Sequence, residues 1–239
     1  GNEVVPVVGD TTSDALGGAG LYIKGQGFLL SGLKTINSIS EKGGAAFINK
    51  DAVGTFANST FEKNLATHSE GGGGIYIDAK CNVVFDTCVF KNNQGPRGGG
   101  TTVAAATAIF RNSLFIGNKA QNDGGGIWMK GEGCRVQCDN VTFAGNTAES
   151  GNGGGITLTD STTPLDPPEL VFSKSRLIGN RAPLGNGGGL FVDKRMQVTF
   201  VDSFVTGDFY GNVWTKKDVD DSFIWCRHIQ TIYKFVTRK

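Results

Sequence analysis

The chain has 239 residues, 37 of them glycine, and its 23 basic and 22 acidic side chains leave a formal net charge of +1. Charge this balanced and interspersed offers no electrostatic case for binding nucleic acid or an anionic membrane surface. No apolar run approaches the roughly 18 residues of a membrane-spanning helix, so direct membrane insertion is not expected.

In chain order, residues 1–16 begin Gly-Asn-Glu-Val-Val-Pro-Val-Val and read as a leading strand that covers the open end of the first repeat. No signal peptide is visible, and a start at Gly1 is that of a processed form or an excised fragment. From residue 17 a two-part phrase recurs. Phe115 to Asn118 leads to the run Gly124-Gly125-Gly126-Ile127, and Phe61 to Asn64 leads to Gly72-Gly73-Gly74-Ile75. Further copies end at Thr101, Ile156 and Leu190, with weaker ones around Gly17–Ile23 and Gly43–Ile48. The residues after the glycine runs (21, 46, 75, 101, 127, 156 and 190) are spaced by 25, 29, 26, 26, 29 and 34 residues, a solenoid period. The runs between the glycines are short and β-like, with no helical apolar period, and the Leu-x-x-Leu-x-Leu consensus of leucine-rich repeats is missing. The expected fold is all-β, a parallel β-helix of about seven to eight coils over residues 1–215. Its first coil (17–42) is irregular and its coils over 43–210 regular. Residues 216–239 lack glycine, turn aromatic and β-branched, and read as a cap or a junction.

Within each repeat a second spacing operates. Phe56, Phe85, Phe110, Cys138, Phe172 and Phe200 each lie five residues before Phe61, Phe90, Phe115, Phe143, Leu177 and Val205. These two series are expected to stack inward on the second and third strands of each coil as the main core. The Gly or polar residue and the Asn ending the phrase are expected to form a corner at positive φ. Asn64, Asn93, Asn118, Asn146, Asn180 and the variant Asp208 are then either a hydrogen-bonded ladder or turn residues only.

Alternation along the strand after each glycine run turns Tyr22, Phe47, Tyr76, Thr102, Trp128, Thr157 and Phe191 outward, with Trp214 in a worn eighth copy at Gly211–Thr215. Six of these eight are aromatic, so an aromatic stripe is expected along one face. It reads in three ways: ring stacking that stiffens the sheet, a protein-binding face, or a platform for sugar rings. A ten-residue insertion, Thr159–Pro168, leaves the stack after Ile156, and its Pro164, Asp166 and Pro167 are candidate contacts.

No constellation reads as catalytic. Asp78 and Asp193 share a repeat position but stand four coils apart, roughly 19 Å by strand spacing, too far for a glycosidase pair. His68 and His228 have no companions. The glycine runs lack the Gly-Lys-Ser/Thr of a phosphate loop and the Asp-containing nonapeptide of calcium-binding rolls. No metal or cofactor is expected. Thr102 and Thr157 are not in adjacent coils, which weakens a water-ordering threonine ladder. The five cysteines (81, 88, 134, 138 and 226) are odd in number and match no zinc spacing; mostly buried free thiols are expected. Asn58-Ser59-Thr60 and Asn140-Val141-Thr142 are glycosylation sequons at equivalent coil positions, making Asn58 and Asn140 candidate modification sites.

The paired Gly-Gly-Gly/Ala-(Ile/Leu) and Phe-x-x-Asn tetrapeptides resemble the passenger repeats of chlamydial polymorphic outer-membrane proteins and of similar surface proteins of algae and protists. Phe61/Asn64, Phe90/Asn93, Phe115/Asn118 and Phe143/Asn146 match outright, whereas Leu177 and Thr101 depart from the pattern. The resemblance covers roughly residues 43–210 and implies a right-handed β-helix displayed at a cell surface for adhesion. It supplies no catalytic residues, and the chain shows no autotransporter barrel. The functional expectation is a non-enzymatic, extracellular scaffold or adhesion module that binds a protein or a glycan through its outer face. The alternatives are a polysaccharide-binding or polysaccharide-cleaving β-helix, and a self-associating subunit of a larger assembly.

Overall fold

A computed structural model of the chain describes residues 3–5, 20–159, 166–193, 196–205 and 209–211. Four sheets wrap a common axis, and the chain visits them in turn. Sheet A holds the strands that follow the glycine runs, from Leu21–Lys24 to Leu190–Val192 and Phe209–Gly211. Sheet B runs from Gln26–Ser31 to Gln197–Val201, sheet C from Lys34–Ile36 to Phe204–Val205, and sheet D from Ile39–Ser40 to Thr147–Ala148. Every strand pairs in parallel with its equivalent in the next coil, except Glu3–Val5. That strand runs antiparallel to Leu21–Lys24 and covers sheet A's edge, where the sequence placed a leading strand. The winding makes six turns between Leu21 and Leu190, and a shorter one brings the chain back to sheet A at Phe209–Gly211, slightly different from the expected seven to eight coils.

The two inward series fall where the five-residue spacing put them. Phe56, Phe85, Phe110, Cys138, Phe172 and Phe200 pair in register on sheet B, and Phe61, Phe90, Phe115, Phe143, Leu177 and Val205 on sheet C. Rings stack along each series, as for Phe90 on Phe115 at 4.4 Å, and meet edge-on across the shaft, as for Phe110 on Phe115 at 5.1 Å. Each such pair contributes about 0.5–1.5 kcal/mol beyond its area burial.

The asparagine series is a ladder. Asn118 donates through Nδ2 to the Phe90 carbonyl and to Asn146 Oδ1, both at 2.9 Å. Its own Oδ1 accepts the backbone N–H and the Nδ2 of Asn93, both at 3.0 Å. All four hydrogen-bonding positions of the buried carboxamide are filled. The same bonds join Asn64 to Asn93 and Asn146 to Asn180; Asp208 lies outside the described residues. The corner bears out half of the expectation: the Gly or polar residue carries positive φ, as at Lys63 (56°), Asn92 (54°) and Gly117 (62°), but the asparagine after it does not. That leaves the asparagine free to point inward.

A second ladder, not expected, lines the corner between sheets B and C. Ser59, Ser113, Ser175 and Ser203 are buried, and each hydroxyl takes a backbone N–H from the preceding coil: from Leu33, Cys88, Val141 and Ser175 at 3.0–3.1 Å. Here too a left-handed residue comes just before, as at Asn58 (49°) and Asn112 (49°).

The glycine runs align from coil to coil. A Cβ on Gly99 would lie 2.4 Å from the Gly125 carbonyl oxygen and 2.5 Å from the Lys119 backbone. On Gly100 it would lie 2.7 Å from the Gly126 oxygen and 2.8 Å from the Phe115 ring. At these two places glycine is needed for close approach, since only the first residue of the run, as at Gly98 (54°), has positive φ.

Asn118→Leu should cost roughly 3 kcal/mol, because it strands the Phe90 carbonyl and the Asn93 and Asn146 groups in a dry interior. Gln137→Leu, on the exposed outer face of sheet B, should stay within about 0.5 kcal/mol of the parent. Urea unfolding of both variants checks the contrast.

Candidate functional site

The stripe on the outer face of sheet A is assembled as alternation requires. Tyr22, Phe47, Tyr76, Thr102, Trp128, Thr157 and Phe191 form one column in register. In the next coil the backbone position paired with Phe191 is that of Tyr210, and Trp214 lies outside the described residues. The last coil is shorter than the others, 19 residues from Leu190 to Phe209, and returns to sheet A without a glycine run, so the strand arrives earlier than the worn repeat suggests.

The column is nevertheless not an open platform. Phe47 is 6% exposed, and Tyr76 and Trp128 only 3%; Tyr22 and Phe191 are half-buried. The cause is the turn before each glycine run, which folds back over the outer face of the strand it precedes. Thr102 Oγ1 lies within hydrogen-bonding reach of the Arg97 and Glu70 carbonyls at 3.4 and 3.3 Å, and Thr157 Oγ1 donates to the Asn152 carbonyl at 2.5 Å. At these two places a hydroxyl meets the turn carbonyls where the other coils carry a ring.

The turns and the strand ends also bring cations onto the rings. Tyr22, Phe47 and Tyr76 follow one another at 5.7 and 5.6 Å between centroids, and the Lys42 ammonium lies 5.1 Å from the Tyr76 ring. Trp128 lies against the Arg97 guanidinium at 4.6 Å and the Lys130 ammonium at 5.0 Å, and its Nε1–H donates to Thr159 Oγ1 at 2.9 Å. Desolvated contacts of this kind contribute from about 0.5 to 2 kcal/mol each. Lys130 also pairs with Glu70 at 2.5 Å across the gap left by Thr102. That hydrogen bond holds the Glu70 carboxyl below its ordinary range, and burial pushes the Tyr76 phenol upward, reinforced by Asp78 and Glu70.

The remaining candidates are scattered. Asp166 accepts both Arg135 contacts, at 2.8 and 3.0 Å, and its carbonyl accepts the Gly133 N–H, so the end of the insertion is tied to the preceding coil. Pro167 is half-buried, and Pro164 lies outside the described residues. Asn58 and Asn140 are exposed on the corner between sheets B and C, where Asn140 Nδ2 donates to Asn112 Oδ1 at 2.9 Å. Over sheet D runs a groove of about 350 Å³, lined by Leu65, Thr67, Gln94, Pro96, Gln121 and the Lys119–Glu149 pair among others. Pro96 brings no N–H to the place where Gln121 and Glu149 donate to the preceding coil, and this breaks the ladder under the groove.

Sequence reasoning missed the folded-back turns, the groove and the serine ladder. Only the last had a visible sign: Phe56-Ala57-Asn58-Ser59 and Phe110-Arg111-Asn112-Ser113 repeat the spacing of Phe61-Glu62-Lys63-Asn64.

Among the described residues no cluster of His, Cys, Asp and Glu is arranged to hold a metal ion, and no helix is long and apolar enough to cross a membrane. Cys81, Cys88, Cys134 and Cys138 are buried free thiols; Cys226 lies outside the described residues. A family model described as a right-handed β-helix region matches residues 19–205. The chain belongs to the right-handed β-helix family. No curated protein and no solved structure matches it.

Burial raises the Cys81 and Cys88 thiols to about 11 and that of Cys134 to about 12, from an ordinary 9.0, and pushes Cys138 up as well. The folded chain therefore holds these protons longer than the unfolded one. Stability should be unaffected by them below about pH 9 and should fall as pH rises from there toward 12. Urea unfolding midpoints across that range, compared with a Cys138→Val variant, check the sign. Alkylation at neutral pH should leave all four thiols unmodified until the chain is unfolded.

Proposed function

We propose that the protein is a non-enzymatic β-helical scaffold, displayed outside the cell, that binds a protein or glycan partner through its outer wall. The observation that carries this reading is how the repeated polar side chains are used. The asparagine ladder fills all its hydrogen bonds internally, the serines bind backbone, and the thiols are buried and protonated. Even the outward aromatics are held by turns and cations of the same chain. Such a design spends its chemistry on a rigid rod and leaves recognition to the surface of the walls. The likeness of the paired tetrapeptides to chlamydial passenger repeats supports adhesion as the use of that rod, and the exposure of Asn58 and Asn140 supports an extracellular setting with sugars attached at the corner between sheets B and C.

A second reading, a wall that binds polysaccharide, is favoured by the groove over sheet D. Its carboxamides and paired charges suit an uncharged, hydroxyl-rich chain.

Beads coated with the folded protein should adhere to cells, and heat-denatured protein should not. A panel of neutral and acidic polysaccharides should show no new reducing or unsaturated ends after incubation. Release of such ends would overturn the non-enzymatic reading. Binding to a neutral glycan that is weakened at least tenfold by Gln94→Ala with Gln121→Ala, without turnover, would place recognition in the groove.

A further inference from the structure

Three turns in one column carry an Asx-Gly step: Asp123-Gly124, Asn152-Gly153 and Asn186-Gly187. They are rungs of an outer ladder. Asn152 N–H donates to Asp123 Oδ1 and Asn186 N–H to Asn152 Oδ1, both at 2.9 Å. The first two rungs are closed from the far side as well. Gly124 N–H donates to the Asn152 carbonyl at 3.0 Å, and Gly153 N–H to the Asn186 carbonyl at 2.9 Å. The Asn152 carbonyl also accepts the Thr157 hydroxyl, and its side-chain oxygen is held by Asn186. The third rung is the last among the described residues. Asn186 is exposed, and Gly187 N–H finds no such acceptor among the described residues.

An asparagine followed by glycine can cyclise, because no side chain on the next residue hinders its amide nitrogen. The nitrogen attacks the side-chain Cγ, a C–N bond forms, and ammonia leaves with the side-chain nitrogen. Water then opens the succinimide to aspartate or to isoaspartate, the latter with the backbone running through the β-carboxyl. A nitrogen whose hydrogen is committed to the next coil, beside an amide fixed by two neighbours, cannot reach that geometry without local opening of the coil. We propose that Asn186-Gly187 is a built-in site of deamidation, and that Asn152-Gly153 and Asp123-Gly124 are protected by the coil stacked on them. The normally linked product is compatible with the fold, since Asp123 already serves the same ladder through Oδ1. The isoaspartyl product lengthens the backbone by one methylene carbon at the rung and draws the Asn186 N–H away from Asn152. Either product adds one negative charge to the outer turn that precedes Leu190–Val192.

The test is a timed incubation of the intact chain at mildly alkaline pH and physiological temperature, with peptide mapping and isoaspartate detection. In the folded protein, conversion at Asn186 should run at least tenfold faster than at Asn152, and Asp123 should not isomerise measurably. In urea the two asparagines should convert at similar rates. Equal rates in the folded protein, or an intact Asn186 where the urea-unfolded chain has converted, would overturn the proposal.

Discussion

Each inward side chain in this protein has its own equivalent as a neighbour, one strand spacing above and one below. That constraint, of identical positions stacked in register about 4.8 Å apart, decides which residues the interior accepts. A phenylalanine stacks on a phenylalanine without penalty, and the two series fill the shaft. A buried polar residue must be able to bond to a copy of itself. A carboxamide meets that requirement with two donors and an acceptor of two lone pairs, and the column from Asn64 to Asn180 is unbroken. A hydroxyl meets it less fully, because its single hydrogen goes to a nearby carbonyl and only the oxygen serves the neighbouring coil. The serine column accordingly tolerates Cys88 and Val141, rungs that give a backbone N–H to the hydroxyl of the next serine and bring no hydroxyl of their own.

The same stacking governs the outer face of sheet A, where rings again follow rings, but there the turns intervene. A solenoid wall has no other layer to cover it, so an outward aromatic column would ordinarily remain open to water. Here Lys42, Arg97 and Lys130 lie on the rings with their charges directed at Glu70, Asp123 and solvent. The result is a small second core, separate from the shaft, that ties coil to coil on the outside. Of the three readings of the stripe, the one in which rings stiffen the sheet has the geometry on its side, and a partner would meet the stripe mainly at half-buried Tyr22 and Phe191.

The fold was legible because its period is carried by residues with few substitutes. Glycine at a close backbone approach and asparagine in a self-bonding column cannot be exchanged without loss, so the repeat survives in the text of the chain. The outer features were illegible for the converse reason. Whether a turn folds over its strand depends on backbone placement of residues such as Glu70 and Arg97, which carry no pattern of their own. Tyr210 was hidden because the last coil abandons the glycine run that marked every earlier one. The serine ladder was half legible: its spacing was present, but cysteine and valine in two rungs disguised a polar column as an indifferent one.

The first coil shows how a stack of strands can stop. Sheet A is closed there by the antiparallel strand Glu3–Val5, whereas among the described residues sheets B, C and D end at Gln26–Ser31, Lys34–Ile36 and Ile39–Ser40. An exposed parallel edge invites another strand. This one is bulged between Gln26 and Phe28 and flanked by Gly25, Gly27 and Gly32, all at positive φ, so its backbone is a poor template for a regular partner. Phe28 turns inward opposite Gly54, which has no side chain to obstruct it: a Cβ there would lie 2.3 Å from the ring. The inner columns change character at the same coil, with Thr35 in place of phenylalanine and Ser38 in place of asparagine, whose backbone N–H still donates to Asn64 Oδ1. The irregularity that makes this coil hard to recognise in the sequence thus has a physical use: it completes the ladders on one side and presents an irregular edge on the other.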